Sequence, residues 1–440
     1  MSKTGTRISQ CMIVKNEEKN IERALSWGKS VMYEQIVVDT GSTDRTVELA
    51  RKMGAKVCEF PWIDDFSAAK NYAIEQCTGD WIALLDADEY MMPEDVKKLP
   101  GYIKEMNRRN LDGLSTGWQQ LDGEGKIFSS GTQVRIFRNL PDIRYRRRIH
   151  EQLESKSGRE LRLGDAVKEL SIFHTGYQGQ AFEQKKKSGR NRKLILEELK
   201  NNPEDYEMMG YMGDDCQSDG DKEEAVIWFR RAIEHMPSKL QDYDQRSAVT
   251  FTSLLILLTD GEESLWREAE EVYHKAVQLL PQEADFDYIM GHFYAVRGEA
   301  EKAVFHLETA MEKLNKYGCN NKALHMAANL LDVYDLLVRC CHMTGQNEKC
   351  LTYGVTYLKY EKFNMAVLSL ILKTLLPGGG NNSAQENQAV LGFLSKLYDF
   401  SSLKDRLFLV KAAQMSDCQI FGTYLSSVLF TPDEKKQLGL

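Results

Sequence analysis

Gly79-Asp80-Trp81-Ile82-Ala83-Leu84-Leu85-Asp86-Ala87-Asp88-Glu89 is the stretch on which the fold turns. Trp81–Leu85 is apolar at every position and of strand length, which suits a strand buried on both faces of a parallel sheet. It ends abruptly in carboxylates, and acids just past the carboxyl end of such a strand sit where open α/β sheets bind their ligands. Asp86 and Asp88, two apart, would point the same way if the strand continued, and could share one cation. The plainer alternative is a strand end capped by solvated acids.

The segments upstream favour a ligand site. Ile8–Val14 reads as a short buried strand closed by Lys15-Asn16-Glu17-Glu18, with Asn16 as a helix cap and the two glutamates in a first turn. Gln35-Ile36-Val37-Val38 reads as a second strand that ends at Asp39 and opens into Thr40-Gly41-Ser42-Thr43-Asp44, a strand-to-helix turn. Asp44 is placed to cap the helix that follows. Lys56–Phe60 reads as a third strand. Strand and helix alternating in this way predict a parallel, doubly wound sheet. The acid-bearing loops at Asp39 and Asp86 lack the glycine patterns of dinucleotide and P-loop sites. A nucleotide held there needs its phosphate charge met in another way, most simply by a divalent cation on the Asp-x-Asp.

Taken together, Met12–Glu18, Ile36–Thr46, Asp65-Phe66-Ser67-Ala68-Ala69-Lys70-Asn71 and Gly79–Glu89 resemble, in order, the inverting family-two glycosyltransferases of GT-A fold. The resemblance covers about the first 90 residues. It implies that Asp39 and Asp44 lie by the base and ribose of a nucleotide-sugar, that Lys70 meets the diphosphate, and that Asp86 contacts ribose or sugar. Asp88 would be the direct metal ligand, with manganese or magnesium as the cation. Many members carry a second acid after position 39; here it is Thr40, so the usual uracil contact does not carry over. Glu89 would bind metal-bound water or the donor sugar, or be solvated.

Further on, Gly113–Leu121 and Thr132–Arg138 read as strands joined by the turn Asp122-Gly123-Glu124-Gly125, an antiparallel, acceptor-facing region. Arg144-Tyr145-Arg146-Arg147-Arg148-Ile149-His150-Glu151 then gathers four arginines beside a histidine and a glutamate. One reading is a solvated charged face. The other is a phosphate clamp, with Arg148 against the donor, plus a base that takes the acceptor's proton. Glu151 and His150 are both candidates for that base, and the family's usual carboxylate favours Glu151. Leu170–Thr175 ends an apolar segment in His174, followed by Gly176-Tyr177. The resemblance implies a further metal ligand at His174, against a structural histidine as the alternative.

Composition bounds the rest. The 440 residues are 42% hydrophobic and 28% charged, as in soluble globular proteins, and the net charge of −8 argues against a general nucleic-acid role. No apolar run is long enough to span a bilayer, and no apolar signal region precedes Ile8. The nine cysteines are scattered and odd in number, without Cys-x-x-Cys, which favours a reducing, cytoplasmic setting.

From Gln184 the chain turns Lys/Glu-rich and helical. Met212-Gly213, Gly220, Ala225, Phe229, Ala232 and Pro237 fit the small and large positions of a tetratricopeptide repeat. Ala269, Tyr273, Ala276 and Pro281, then Gly291, Gly298, Ala303, Leu307 and Ala310, repeat that pattern irregularly. The expected organisation is a GT-A domain over 1–180, tetratricopeptide-like repeats over 181–375 and a helical cap over 376–440. A glycosyltransferase with such a tail resembles the sublancin-type peptide S-glycosyltransferases, which implies a UDP-sugar donor carrying a hexose or N-acetylhexosamine. The acceptor would be the Cys or Ser of a peptide or protein, and the helices could also form a homodimer. The first domain alone also resembles lipopolysaccharide-core glucosyltransferases, so a cell-envelope glycan acceptor stays open, as does a non-catalytic repeat protein.

Overall fold

A computed structural model of the chain describes residues 6–175, 189–241, 244–318, 324–377 and 383–438. It divides into two compact units, Met1–Met208 and Met209–Leu440. The helix Arg190–Asn201, read from the sequence as the start of the repeats, falls in the first unit. Gly176-Tyr177, the lysines at 185–187 and the glycine-rich loop 378–382 lie outside the described residues.

In the first unit the apolar runs become the middle of an eight-stranded sheet ordered β3-β2-β1-β4-β7-β6-β10-β5. Its strands are β1 (Ile8–Val14), β2 (Glu34–Asp39), β3 (Lys56–Glu59), β4 (Trp81–Leu84), β5 (Glu89–Met91), β6 (Gly113–Leu121), β7 (Ile127–Arg138) and β10 (Leu163–His174). The pair β8 (Ile143–Arg146) and β9 (Gln152–Ser155) forms a separate small sheet. β1 runs parallel to β2 and β4, and β2 parallel to β3, as the alternating pattern predicts. β6 and β7 are antiparallel, also as read. β4 is buried at every position: Trp81 and Ala83 share a core with Val96, Leu99 and Ile103, and Ile82 and Leu84 share another with Ala73 and Ile74.

Two local expectations are corrected. Asn16 is not a helix cap: its φ is 57°, the first helix begins only at Ile21, and its side chain accepts from Thr43 N at 2.8 Å. Asparagine tolerates this left-handed backbone, which lets the loop after β1 cross to the loop after β2. The strand also does not continue through the Asp-x-Asp. β4 stops at Leu84, and Glu89 N bonds Asp86 O at 3.0 Å in a tight turn. Asp86 and Asp88 therefore point to different partners.

At the foot of β6, Asp112 pins the far side of the sheet. Its side chain, 3% exposed, takes Arg159 Nη1 at 2.7 Å and Nη2 at 3.1 Å, and Arg162 N at 2.9 Å. Burial alone would raise its pKa, but the two arginines and the Arg162 amide hold it below the ordinary carboxylate value. A depressed folded-state pKa gives stability that is present above the unfolded value of about 3.9 and is lost as pH falls through the folded value. Asp112→Asn is therefore expected to cost about 1–3 kcal/mol at pH 7 and to flatten the acid limb of the unfolding curve below about pH 4. Urea midpoints of both proteins at pH 3 and pH 7 check it; equal losses at both pH values would refute the linkage.

The second unit is helical. Consecutive helices Ala284–Val296 and Ala300–Tyr317, then Leu330–Met343 and Asn347–Tyr360, pack as pairs. The small residues of the repeat pattern serve close approach: a Cβ on Gly291 would sit 2.7 Å from Leu307 Cγ. This is the TPR-like arrangement that the spacing predicts.

Candidate active site

The Phe66–Asn71 element of the third helix (α3, Phe66–Glu75) acts as a dock for the arginine-rich segment. Asp65 caps α3, accepting from Ala68 N at 2.8 Å. Phe66 N donates to Arg148 O at 2.9 Å and Ser67 Oγ to Arg147 O at 2.5 Å. Asn71 exchanges two bonds with the backbone of Tyr145, both at 2.9 Å. The segment then turns twice through left-handed backbone, at Arg147 (φ 74°) and His150 (φ 51°). These turns bring Glu151 back over α3 to Lys70.

Lys70 joins the two halves of the site. It is 4% exposed, lies 3.7 Å from Asp86 Oδ1, and is ion-paired with Glu151 Oε1. Burial would pull its pKa down, but Asp86 and Glu151 outweigh that and raise it above the ordinary lysine value. Its ammonium also sits 5.3 Å from the centre of the Tyr145 ring. Arg135, on β7, is the second cation. Its Nη2 reaches Asp86 Oδ2 at 3.0 Å and Glu89 Oε1 at 2.8 Å. Burial works to raise the pKa of Asp86, yet Lys70 and Arg135 hold it down to about 2. Asp86 is thus an ionised carboxylate whose charge is already met from two sides.

Glu89 is not solvated. It is 1% exposed and fully engaged: it accepts from Asp86 N at 2.9 Å, Trp118 Nε1 at 3.0 Å and Arg135. It clamps the turn that carries the Asp-x-Asp. Asp88 meets a different partner, with Oδ2 at 3.5 Å from His174 Nε2. The His174 ring stacks on Trp118 with centroids 5.0 Å apart. Thr175 donates to Asp88 O through both N (3.1 Å) and Oγ1 (3.0 Å), fixing the loop that holds the pair. Asp88 and His174 offer one oxygen and one nitrogen to a cation. Among the described residues no third His, Cys, Asp or Glu completes a cage. Such a donor pair fits magnesium or manganese, which bind through one or two side chains and complete their shell with water and substrate phosphate.

At the end of β2, two strands from β4 and so about 9–10 Å away, Asp39 accepts from Gly41 N at 3.1 Å and from Ser42 N at 3.1 Å. Thr40 turns inward, its hydroxyl donating to Val14 O at 3.0 Å, so this position belongs to the core. Asp44 sits two residues before the helix Thr46–Lys52, taking Thr46 N at 3.0 Å and Glu18 N at 3.1 Å. Burial opposes the shift, and the Thr46 and Glu18 bonds lower its pKa.

The four arginines do not converge into a clamp. Arg144 donates to the carbonyls of Leu140 and Ile143, and Arg146 points to Glu154 at 3.4 Å on the surface. Arg147 pairs with Asp205 and Glu207. Arg148 lies 3.9 Å from Glu198, with its N bonded to Glu198 at 2.6 Å. Only Arg144 and Arg146 lie on β8; Arg147 and Arg148 follow its end, where Arg147 takes left-handed backbone (φ 74°) and the chain turns away. The arginine that does meet the Asp-x-Asp is Arg135, which the sequence reading missed. Its signal was a charge between Val134 and Ile136, the first in a strand uncharged from Ile127 up to that point.

Comparison with known proteins agrees with this geometry. Residues 9–162 match glycosyl transferase family 2. A TPR repeat-containing protein of Synechococcus elongatus is 34% identical over 233 residues, covering 52% of this chain and 56% of that protein. The SPbeta prophage-derived glycosyltransferase SunS of Bacillus subtilis is 28% identical over 240 residues, covering 52% of this chain and 54% of that protein. The chain thus spans about half the length of these relatives. S. aureus TarS in complex with UDP-GlcNAc aligns with a TM-score of 0.36 at 16% identity, over 61% of this chain and 92% of that one.

Proposed function

We propose that the chain is an inverting, metal-dependent glycosyltransferase that moves a hexose or N-acetylhexosamine from a UDP-sugar to a Cys or Ser side chain of a peptide or protein. The observation that carries the reading is Lys70, buried between Asp86 of the donor loop and Glu151 of the candidate base segment. In a family 2 domain that bridge ties donor binding to proton abstraction.

In this reading Asp39 and Asp44 accept from the nucleoside, Asp86 from the ribose or sugar, and Lys70 and Arg135 face the diphosphate, while Arg148 stays with Glu198. Glu151 takes the proton of the acceptor thiol or hydroxyl as its sulfur or oxygen attacks the anomeric carbon from the side opposite the diphosphate. The bond from that carbon to the diphosphate oxygen breaks, the nucleoside diphosphate leaves with the electron pair, and the configuration inverts. Asp88 and His174 would hold the divalent cation, which when bound offsets the charge of the leaving diphosphate. His150 is the alternative base; the Lys70 bridge favours Glu151.

The likeness to SunS, a glycosyltransferase, supports the transfer. The TPR-like unit supports a peptide or protein acceptor over a cell-envelope glycan. Eight described cysteines are free thiols, which suits a reducing, cytoplasmic setting, and no described helix is long and apolar enough to cross a membrane.

The test is mass spectrometry of Cys- and Ser-containing peptides incubated with UDP-sugars and manganese, expecting the gain of one hexose or N-acetylhexosamine. Gain on glycan acceptors alone would contradict the acceptor assignment. Asp88→Ala is expected to lower turnover about a hundredfold or more and to abolish its dependence on manganese. An unchanged manganese titration in that variant would remove Asp88 from the metal site.

A further inference from the structure

We infer that Arg23, on the first helix (Ile21–Ser26), is a positioning residue for the divalent cation and acts through Thr175 on Asp88. The inference rests on the metal-site reading above and names what holds that site in place. Arg23 Nη2 donates to Thr175 Oγ1 at 2.7 Å, across 152 residues of chain. Thr175 Oγ1 in turn donates to Asp88 O at 3.0 Å, and Thr175 N donates to the same carbonyl at 3.1 Å. A hydroxyl has one proton, so accepting from the guanidinium commits that proton to Asp88 O. Thr175 also directly follows His174, so one residue fixes the backbone at both candidate ligands.

The Asp-x-Asp loop needs such a hold. β4 ends at Leu84 and β5 begins at Glu89, so Asp86, Ala87 and Asp88 lie outside the strand ladders. Glu89 clamps the Asp86 end by accepting from Asp86 N. The two Thr175 bonds hold the Asp88 end. A cation that takes one oxygen and one nitrogen from the chain depends on the placing of both, and a partner that orients a metal ligand is worth about 10–100-fold in affinity.

Arg23 is exposed, yet it is docked from three directions. Its guanidinium sits 4.8 Å from the centre of the Tyr90 ring, and Tyr90 stacks on Phe173 with centroids 5.7 Å apart. Tyr90 and Phe173 are register partners on β5 and β10, the strands that leave Asp88 and lead into His174. Arg23 Nη2 also reaches Asn20 Oδ1 at 3.2 Å, and Asn20 Nδ2 donates to Glu17 Oε2 at 2.8 Å. Glu17 N donates to Thr46 Oγ1 at 2.8 Å, and that hydroxyl meets Asp44. Arg23 therefore ties the metal loop to the loops after β1 and β2, where the reading above puts the nucleoside.

The experiment titrates manganese into the full chain with UDP present and reads free Mn²⁺ by electron paramagnetic resonance. Arg23→Met and Thr175→Val are each expected to weaken manganese binding about tenfold, while Thr175→Ser, which keeps the hydroxyl, stays within about twofold of the unmodified chain. Sugar transfer by Arg23→Met should climb back toward the unmodified rate as manganese is raised, a rescue that a fault in folding would not show. Urea midpoints identify any variant that fails to fold; should Arg23→Met do so, the Thr175→Val and Thr175→Ser pair decides. Unchanged manganese affinity in either folded Arg23→Met or Thr175→Val, or an equal loss in Thr175→Ser, overturns the positioning role and leaves the metal site intact. An unmodified chain that binds no manganese with UDP overturns the metal site and the positioning together.

Discussion

Glu151→Gln is expected to lower sugar transfer about 10²–10⁴-fold with little change in the affinity for nucleotide-sugar. The substitution keeps the shape of the side chain and an oxygen that can accept from Lys70, and removes only the capacity to take a proton. Donor binding is measured separately by calorimetry with the UDP-sugar. A loss that falls on KM for the donor instead would make Glu151 a binding residue. The pH profile of the variant carries further information. If the acceptor is a thiol, its own ionisation near pH 8.5 supplies the nucleophile, and the defect should shrink as pH rises through that range. A serine acceptor gives no such rescue. His150→Gln, by contrast, is expected to retain most activity.

Arg135→Met is expected to destabilise the protein by about 3–5 kcal/mol, the cost of leaving a buried carboxylate without its cation. The carboxylate is that of Glu89, whose side chain is 0% exposed, and Arg135 is its only ion-pair partner among the described residues. Asp86 retains Lys70 in this variant, so the damage should centre on Glu89. Adding Glu89→Gln should recover much of the loss, because a neutral amide can still meet Asp86 N without an unpaired charge. Chemical denaturation of the two single variants and the double variant gives the cycle. A double variant no more stable than Arg135→Met would contradict the pairing.

The donor half was the legible part of this chain. Apolar runs of strand length ending in acids give β1, β2 and β4 and place Asp39 and Asp86 at carboxyl ends, because burial on both faces writes a continuous apolar pattern. The Phe66–Asn71 element was recognisable as a motif, but its work was not: Ser67 and Asn71 bond backbone atoms some 74–80 residues ahead, which no local pattern encodes. The same limit hid Arg135, whose partner Asp86 is 49 residues upstream. It also made the arginine cluster look convergent, since the carboxylates that draw Arg147 and Arg148 apart, Asp205, Glu207 and Glu198, lie some 50–60 residues ahead. Solvation was one of the readings open for Glu89, since charge is usually exposed; here three donors offset its burial.

The most direct measurement is nucleoside diphosphate release from a panel of UDP-sugars by the full chain and by Glu151→Gln, with manganese and the peptide set present. The account predicts release coupled one-to-one to peptide glycosylation by the unmodified chain, and loss of both in Glu151→Gln while donor binding persists. Release by Glu151→Gln at the unmodified rate, or no turnover of any nucleotide-sugar by the unmodified chain, would contradict it.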